Sequence, residues 1–124
     1  VVDLVEIEVR GAGTAPEADS ARRIEGERLT ARIPPGSRTI ALDRTGQLWS
    51  SEDLARQLRL WREGGRPVTL ILGGSHGLDP GILHDCQQRW SLGPLTLPHE
   101  LARVIVLEQL YRAGTMLRGE PYHK

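Results

Sequence analysis

The residues with the most chemical capacity crowd into the second half of the chain. In "LILGGSHGLDPGIL" (residues 70–83) an apolar run ends in Gly73-Gly74, and Ser75, His76 and a Gly/Pro loop follow. Glycines at such a place admit positive φ and let a ligand approach the backbone closely. The stretch is not the phosphate loop G-x-x-x-x-G-K-[ST], since no Lys follows, and its spacing is not G-x-G-x-x-G. A plain turn between strand and helix accounts for it equally well. Ser75 beside His76 makes no nucleophile pair, because sequence neighbours seldom face each other and the G-x-S-x-G elbow is missing. His76, His84, His99 and His123 lack metal-ligand spacing, and no H-E-x-x-H occurs. Cys86 is the only cysteine, which rules out an intramolecular disulfide and a Cys-based zinc site; it reads as a small buried hydrophobe. Asp43, at the end of a short apolar run, suits either a ribose hydroxyl or the cap of a turn. Glu108 and Arg112, with the terminal Tyr122, His123 and Lys124, are the remaining groups able to meet a base or a phosphate.

These residues need elements to position them. Residues 1–9 alternate apolar and acidic side chains, the pattern of a half-exposed strand, and a Gly/Ala/Pro-rich loop follows. Residues 17–33 read as a helix, broken by Pro34-Pro35-Gly36. "RTIALD" (residues 38–43) is a short buried strand, with a turn over residues 44–47. Ser50 or Ser51 caps the next helix, Glu52 and Asp53 favour its positive first turn, and Leu54, Leu58 and Trp61 form one apolar stripe. Gly64-Gly65 stops it. "PVTLILGG" lacks alternation, so the spacing predicts a strand buried on both faces of a parallel sheet. Residues 80–88 read as a short helix and 89–92 as a short extended piece. The last helix starts near Pro98, a favourable first-turn proline, and runs to about Leu117. Trp49, Trp61 and Trp90 belong to a core or an interface. The order β-α-β-α-β-α-β-α argues for a mostly parallel sheet with helices on both faces. Ligands of such sheets bind outside the carboxyl ends of the strands. Asp43, Gly73-Gly74 and Gly93-Pro94 all fall at such ends, so the two Gly/Pro loops line one pocket.

With 124 residues the chain fits one domain. Its formal net charge is zero, so whole-molecule charge predicts no polyanion partner. Of its 16 basic residues all but Lys124 are arginine, and Phe and Asn are absent. A GC-rich coding bias and a role for Arg forks on phosphate both fit that composition, which does not separate them. No apolar run approaches the roughly 18 residues of a membrane span, no signal-peptide pattern occurs, and the lone cysteine fits a cytoplasmic protein. The last helix carries Leu101, Ala102, Val104, Ile105, Val106, Leu107, Leu110, Tyr111 and Ala113, leaving almost no polar face. A helix apolar all round is covered on more than one side, and a second protomer in a C2 homodimer is the natural cover.

"LILGGSHGL", "RWSLGPLTLPHELARVIVLEQLYRA" and the terminal "PYHK" together resemble the RlmH family. These are SPOUT-class enzymes that use S-adenosylmethionine to methylate N3 of a pseudouridine in bacterial large-subunit ribosomal RNA. The resemblance covers nearly the whole chain and is strongest from Leu70 onward. It implies a C-terminal trefoil knot, which strand and helix periodicity alone does not predict. It also implies a cofactor site at Leu42, Gly73, Leu92, Gly93, Pro94, Leu95, Thr96 and Leu97. Arg103, Arg112, Tyr122, His123 and Lys124 are the RNA-binding expectation, with His123 as the base that takes the N3 proton. A homodimer, a ribosomal RNA partner within the ribosome, no metal and no membrane complete it. The chain departs from the family pattern at His76, where an acidic residue is usual, at Glu100, where Pro is frequent, and at Gly114, where Trp is usual. The family has a further strand and helix upstream of Val1, so residues 1–124 are expected to form a single SPOUT domain without them. Two rival readings share the scaffold: a non-catalytic RNA- or nucleotide-binding module, and a different α/β enzyme with a nucleotide cofactor.

Overall fold

A computed structural model of the chain describes residues 18–73 and 78–123. The expected first strand and the loop after it lie outside the described residues, as does His76. Seven elements follow in order: α1 (Ala18–Thr30), β1 (Arg38–Leu48), α2 (Ser51–Gly64), β2 (Val68–Leu72), α3 (Pro80–Asp85), β3 (Gln88–Ser91) and α4 (His99–Leu117). The strands form one sheet in the order β2-β1-β3, and both pairings are parallel.

Alternation along the strands divides the apolar side chains between two layers. Ile40, Leu42, Leu70, Leu72 and Trp90 pack with Leu54, Leu58 and Trp61 of α2 and Val106 and Ala113 of α4. Ala41 and Ile71 join Leu78 and Ile82, with Leu29 of α1 and Ile33 against them. Helices therefore cover both faces. The stripe read in α2 is the buried one, and Ser50 caps the helix through a reciprocal capping box with Asp53. Trp49 stacks on Trp90 with ring centroids 5.4 Å apart and tilts against Trp61 at 6.1 Å. Trp61 Nε1 donates to Gln88 Oε1 at 2.9 Å, so the buried indole keeps a partner.

Two expectations need correction. The turn read at residues 44–47 is a bulge inside a longer strand. Trp90 of β3 pairs with both Leu42 and Gln47, and the residues between leave the ladder. Asp43 holds that excursion by accepting bonds from the backbone N–H and hydroxyl of Thr45. Gly46 then lets β1 return: a Cβ there would stand 2.6 Å from the backbone of Arg89 and Trp90. A side-chain pattern does not reveal such a return, because the bulge depends on backbone contact with a distant strand. The second correction concerns burial. Among the described strands the central one is β1, which holds the fully buried Ile40 and Ala41, whereas in β2 only Ile71 is buried.

Candidate functional site

The ladder brings Leu42, the last β1 residue before the bulge, beside the carboxyl ends of β2 and β3. Leu42 of β1 pairs with Leu72 on one side and Trp90 on the other. Gly73 therefore leaves β2, and Leu92 leaves β3, on either flank of Leu42. The chain runs from β1 outward to β2 and then returns past β1 to β3, so the strand order turns back at β1. In parallel α/β sheets the crevice at such a turning point is where ligands bind.

Two polar bonds tie the loops at this edge. His99, the first residue of α4, has Nδ1 2.8 Å from the carbonyl of Gly73. A carbonyl only accepts, so this nitrogen carries the proton. The bond joins the loop after β2 to the start of the last helix. The buried Ser91 accepts from the backbone N–H of Gly93 through Oγ at 3.1 Å. It thereby holds Gly93 at φ 117°, a conformation L side chains rarely adopt. Between these two ties lie Leu92, Gly93, Pro94, Leu95, Thr96 and Leu97. Leu92 and Leu97 are half-buried, and Pro94, Leu95 and Thr96 are exposed, Leu95 to 76 %. Ser91 and His99 were not among the expected site residues, though both stand inside the "SLGPLTLPH" stretch that carried the resemblance.

A second group forms around the end of the chain. Arg112 donates to Glu108 Oε1 from Nε at 2.9 Å and from a terminal nitrogen at 2.6 Å. Its guanidinium lies over the Tyr122 ring, 4.9 Å from the centroid. Tyr122 meets Tyr111 edge-on at 5.0 Å and donates its hydroxyl to Glu108 at 3.3 Å. His123 has Nδ1 3.1 Å from Arg112 and Nε2 2.9 Å from Glu52. The hydrogen bonds from Arg112 hold the Glu108 carboxyl below the usual range, and the hydrogen bond from His123 does the same first of all for Glu52. Tyr122 and His123, expected to meet the RNA, are bound within the chain to α2 and α4. Lys124 lies outside the described residues.

The remaining candidates sit apart from both groups. Arg103, near the start of α4, forms an ion pair with Glu100 at 3.3 Å. Cys86 follows α3 and packs into the α1/α3 layer, where burial pushes its thiol pKa up; that disfavours the thiolate a nucleophile needs. Among the described residues no three His, Cys, Asp or Glu side chains gather as a metal site, and no helix is long and apolar enough to cross a membrane.

A parallel sheet covered on both faces, with the ends of β2 and β3 meeting beside the β1 bulge under tied loops, defines an α/β protein. The profile of a family described as "Predicted SPOUT methyltransferase" matches residues 1–123. Ribosomal RNA large subunit methyltransferase H of Pseudomonas aeruginosa (strain UCBPP-PA14) is 49 % identical over 123 residues, covering 99 % of this chain and 79 % of the relative. The proteins of that name from Pseudomonas syringae pv. syringae (strain B728a) and Pseudomonas putida (strain W619) are 48 % and 45 % identical, with the same coverage of each chain. The chain therefore belongs to the SPOUT methyltransferase family and, within it, to the group of ribosomal RNA large subunit methyltransferase H. Its sheet and helix layers are those of the SPOUT fold, with which the C-terminal trefoil knot goes, and its cofactor is S-adenosylmethionine.

Proposed function

We propose that this chain methylates N3 of a pseudouridine in bacterial large-subunit ribosomal RNA, acting in the cytoplasm as a homodimer of single SPOUT domains. The observation that carries the cofactor site is the convergence of Leu42, just before the β1 bulge, with Gly73 and Leu92 at the ends of the two neighbouring strands, closed by the bond from His99 to Gly73. The residues fit a nucleoside. Leu42, Leu92 and Leu97 are half-buried apolar side chains at the crevice, Leu95 stands exposed beside them, and among the described residues nothing lies within 4 Å of the position a Cβ on Gly93 would take. Backbone groups of Gly73 and of Gly93 through Leu97 would read the adenine edge, while the leucines cover its faces. S-adenosylmethionine supplies there an electrophilic methyl on sulfur, open to in-line attack.

The protein's own work is alignment and proton handling. Ordered loops hold the acceptor nitrogen in line with the methyl, a proximity effect worth several kcal/mol in general, about 7 or more in favourable cases. The N3 proton must leave as the new N–C bond forms, so a base or an oriented water is required. Arg103, Arg112, Tyr122, His123 and Lys124 form the RNA-facing set in this reading. Tyr122 offers a ring for stacking on a base, and the cations offer phosphate contacts. With no net charge, the chain is expected to bind isolated RNA weakly and with strong salt dependence, so the ribosome itself serves as substrate.

The homodimer reading rests on α4. Leu101, Val104 and Tyr111 are exposed to 47 %, 53 % and 57 %, although they belong to the most apolar of the described helices. The test of the whole reading has two arms: titration with S-adenosylhomocysteine, and transfer of labelled methyl to ribosomes lacking the modification. Saturable binding and stoichiometric incorporation are expected. RNA binding without cofactor binding would return the chain to a non-catalytic module.

A further inference from the structure

One carboxylate bound to the end of the chain has no part in the reaction above. Glu52 stands exposed in the first turn of α2, 71 residues before His123. The turn that carries it is fixed by the capping box of Ser50 and Asp53. On its far side His123 meets Arg112 through Nδ1 at 3.1 Å. A guanidinium only donates, so Nδ1 must accept with its lone pair. The ring proton therefore sits on Nε2 and is donated to Glu52 at 2.9 Å. A neutral ring satisfies both partners at once, whereas a second ring proton would set N–H against N–H at Arg112. Arg112 is held in turn by Glu108, and Tyr122 by Glu108, Tyr111 and the Arg112 guanidinium. Among the described residues, Glu52, Arg112, Glu108 and Tyr122 are thus the charged and titratable groups gathered around this ring.

We propose that Glu52 is a positioning residue for the methyl transfer: it captures His123 as the neutral Nε2–H tautomer and so fixes the C-terminal tail in the orientation that meets the RNA. His123 is then an anchor, and the N3 proton goes elsewhere, since both ring nitrogens are engaged. This rests on the ribosomal RNA methyltransferase reading given above.

The test uses the full chain on ribosomes, with Glu52→Gln, Glu52→Ala, His123→Ala and the double alanine variant. Gln keeps an acceptor oxygen for the Nε2 proton, so Glu52→Gln stays within about twofold of wild-type kcat/KM. Each alanine variant loses about tenfold or more through lost alignment. The double variant loses no more than the worse single one, as partners in one contact do. S-adenosylhomocysteine affinity is unchanged throughout. In parallel, ring nitrogen NMR of the wild type shows a protonated Nε2 and an unprotonated Nδ1. Wild-type rates in Glu52→Ala, losses that multiply in the double variant, or a proton on Nδ1 would overturn the proposal. A wild type that methylates no ribosome overturns the reaction assignment instead. The anchor is then judged by the ring tautomer and by whether Tyr122 gains mobility in Glu52→Ala but not in Glu52→Gln.

Discussion

Gly73 and His99 share one hydrogen bond, yet each answers to a different demand. Gly73 leaves β2 beside Leu42 and in the proposed site presents its backbone to the cofactor, while His99 starts α4 and reaches back to it. Replacing Gly73 by Val puts a branched side chain into the crevice. The expected outcome is loss of S-adenosylhomocysteine binding in calorimetry with the thermal melt retained. Around the chain end, Glu108, Glu52 and Glu120 all have carboxyls held below their ordinary 4.5 by hydrogen bonds from Arg112, His123 and Arg118. The folded chain therefore gives up these protons more readily than the unfolded one. Their contribution to stability is complete above pH 4.5 and is lost as the pH falls below it, through the depressed values. All three lie near the surface, where solvent screens the gain, so the effect is small. Urea midpoints measured from pH 6 downward are expected to drop below about pH 4.5, and Glu108→Gln flattens part of that drop.

At the scale of elements, two local devices decide whether the site is built at all. The first is the cap of α2. Ser50 accepts from the Asp53 backbone and Asp53 returns the bond to Ser50, which sets where the helix begins and where Glu52 stands. Ser50→Ala is expected to cost about 1 kcal/mol of unfolding free energy, read by urea denaturation, and to weaken the hold on the tail. The second is the bulge in β1. A methyl at Gly46 would meet the Arg89–Trp90 backbone at 2.6 Å, and backbone cannot turn aside as a flexible side chain does. Gly46→Ala is expected to destabilise by about 1–3 kcal/mol, the usual cost of overpacking. Because it pushes β3 from β1, it should also weaken cofactor binding. Gly64→Ala, with nothing within 4 Å among the described residues, serves as the matched control.

At the scale of the molecule, the question is what covers α4. Val106 is buried to 3 % exposure within the chain's own core. A charge there would unfold the protein and report nothing about association, because a buried unpaired charge is costly. Val104 lies on the exposed face instead. Val104→Glu is expected to keep the circular dichroism melt and convert a dimer to a monomer in light scattering at micromolar concentration. A wild type that scatters as a monomer would remove the homodimer from the reading.

What was legible in the residues alone follows from short-range rules. The Ser50 cap, the Leu54–Leu58–Trp61 stripe, the stop at Gly65 and the long helix to Leu117 depend on neighbours within one or two turns, and each appears where it was read. Alternating strands and helices likewise indicated a parallel sheet with both faces covered, because parallel strands need crossovers long enough to hold helices. The stretch "SLGPLTLPH" carried the family, and through it the candidate site, by resemblance and not by physics of spacing. Tertiary contact decided the rest. The return of β1 at Gly46 exists only because β3 lies against it. Among the described strands β1 has two neighbours and β2 one, which hydrophobicity does not reveal. The meeting of His99 with Gly73 spans 26 residues, and that of Glu52 with His123 spans 71. No local pattern encodes either pair, because side chains so far apart in sequence become partners only once the sheet and its helices have set the distance between them.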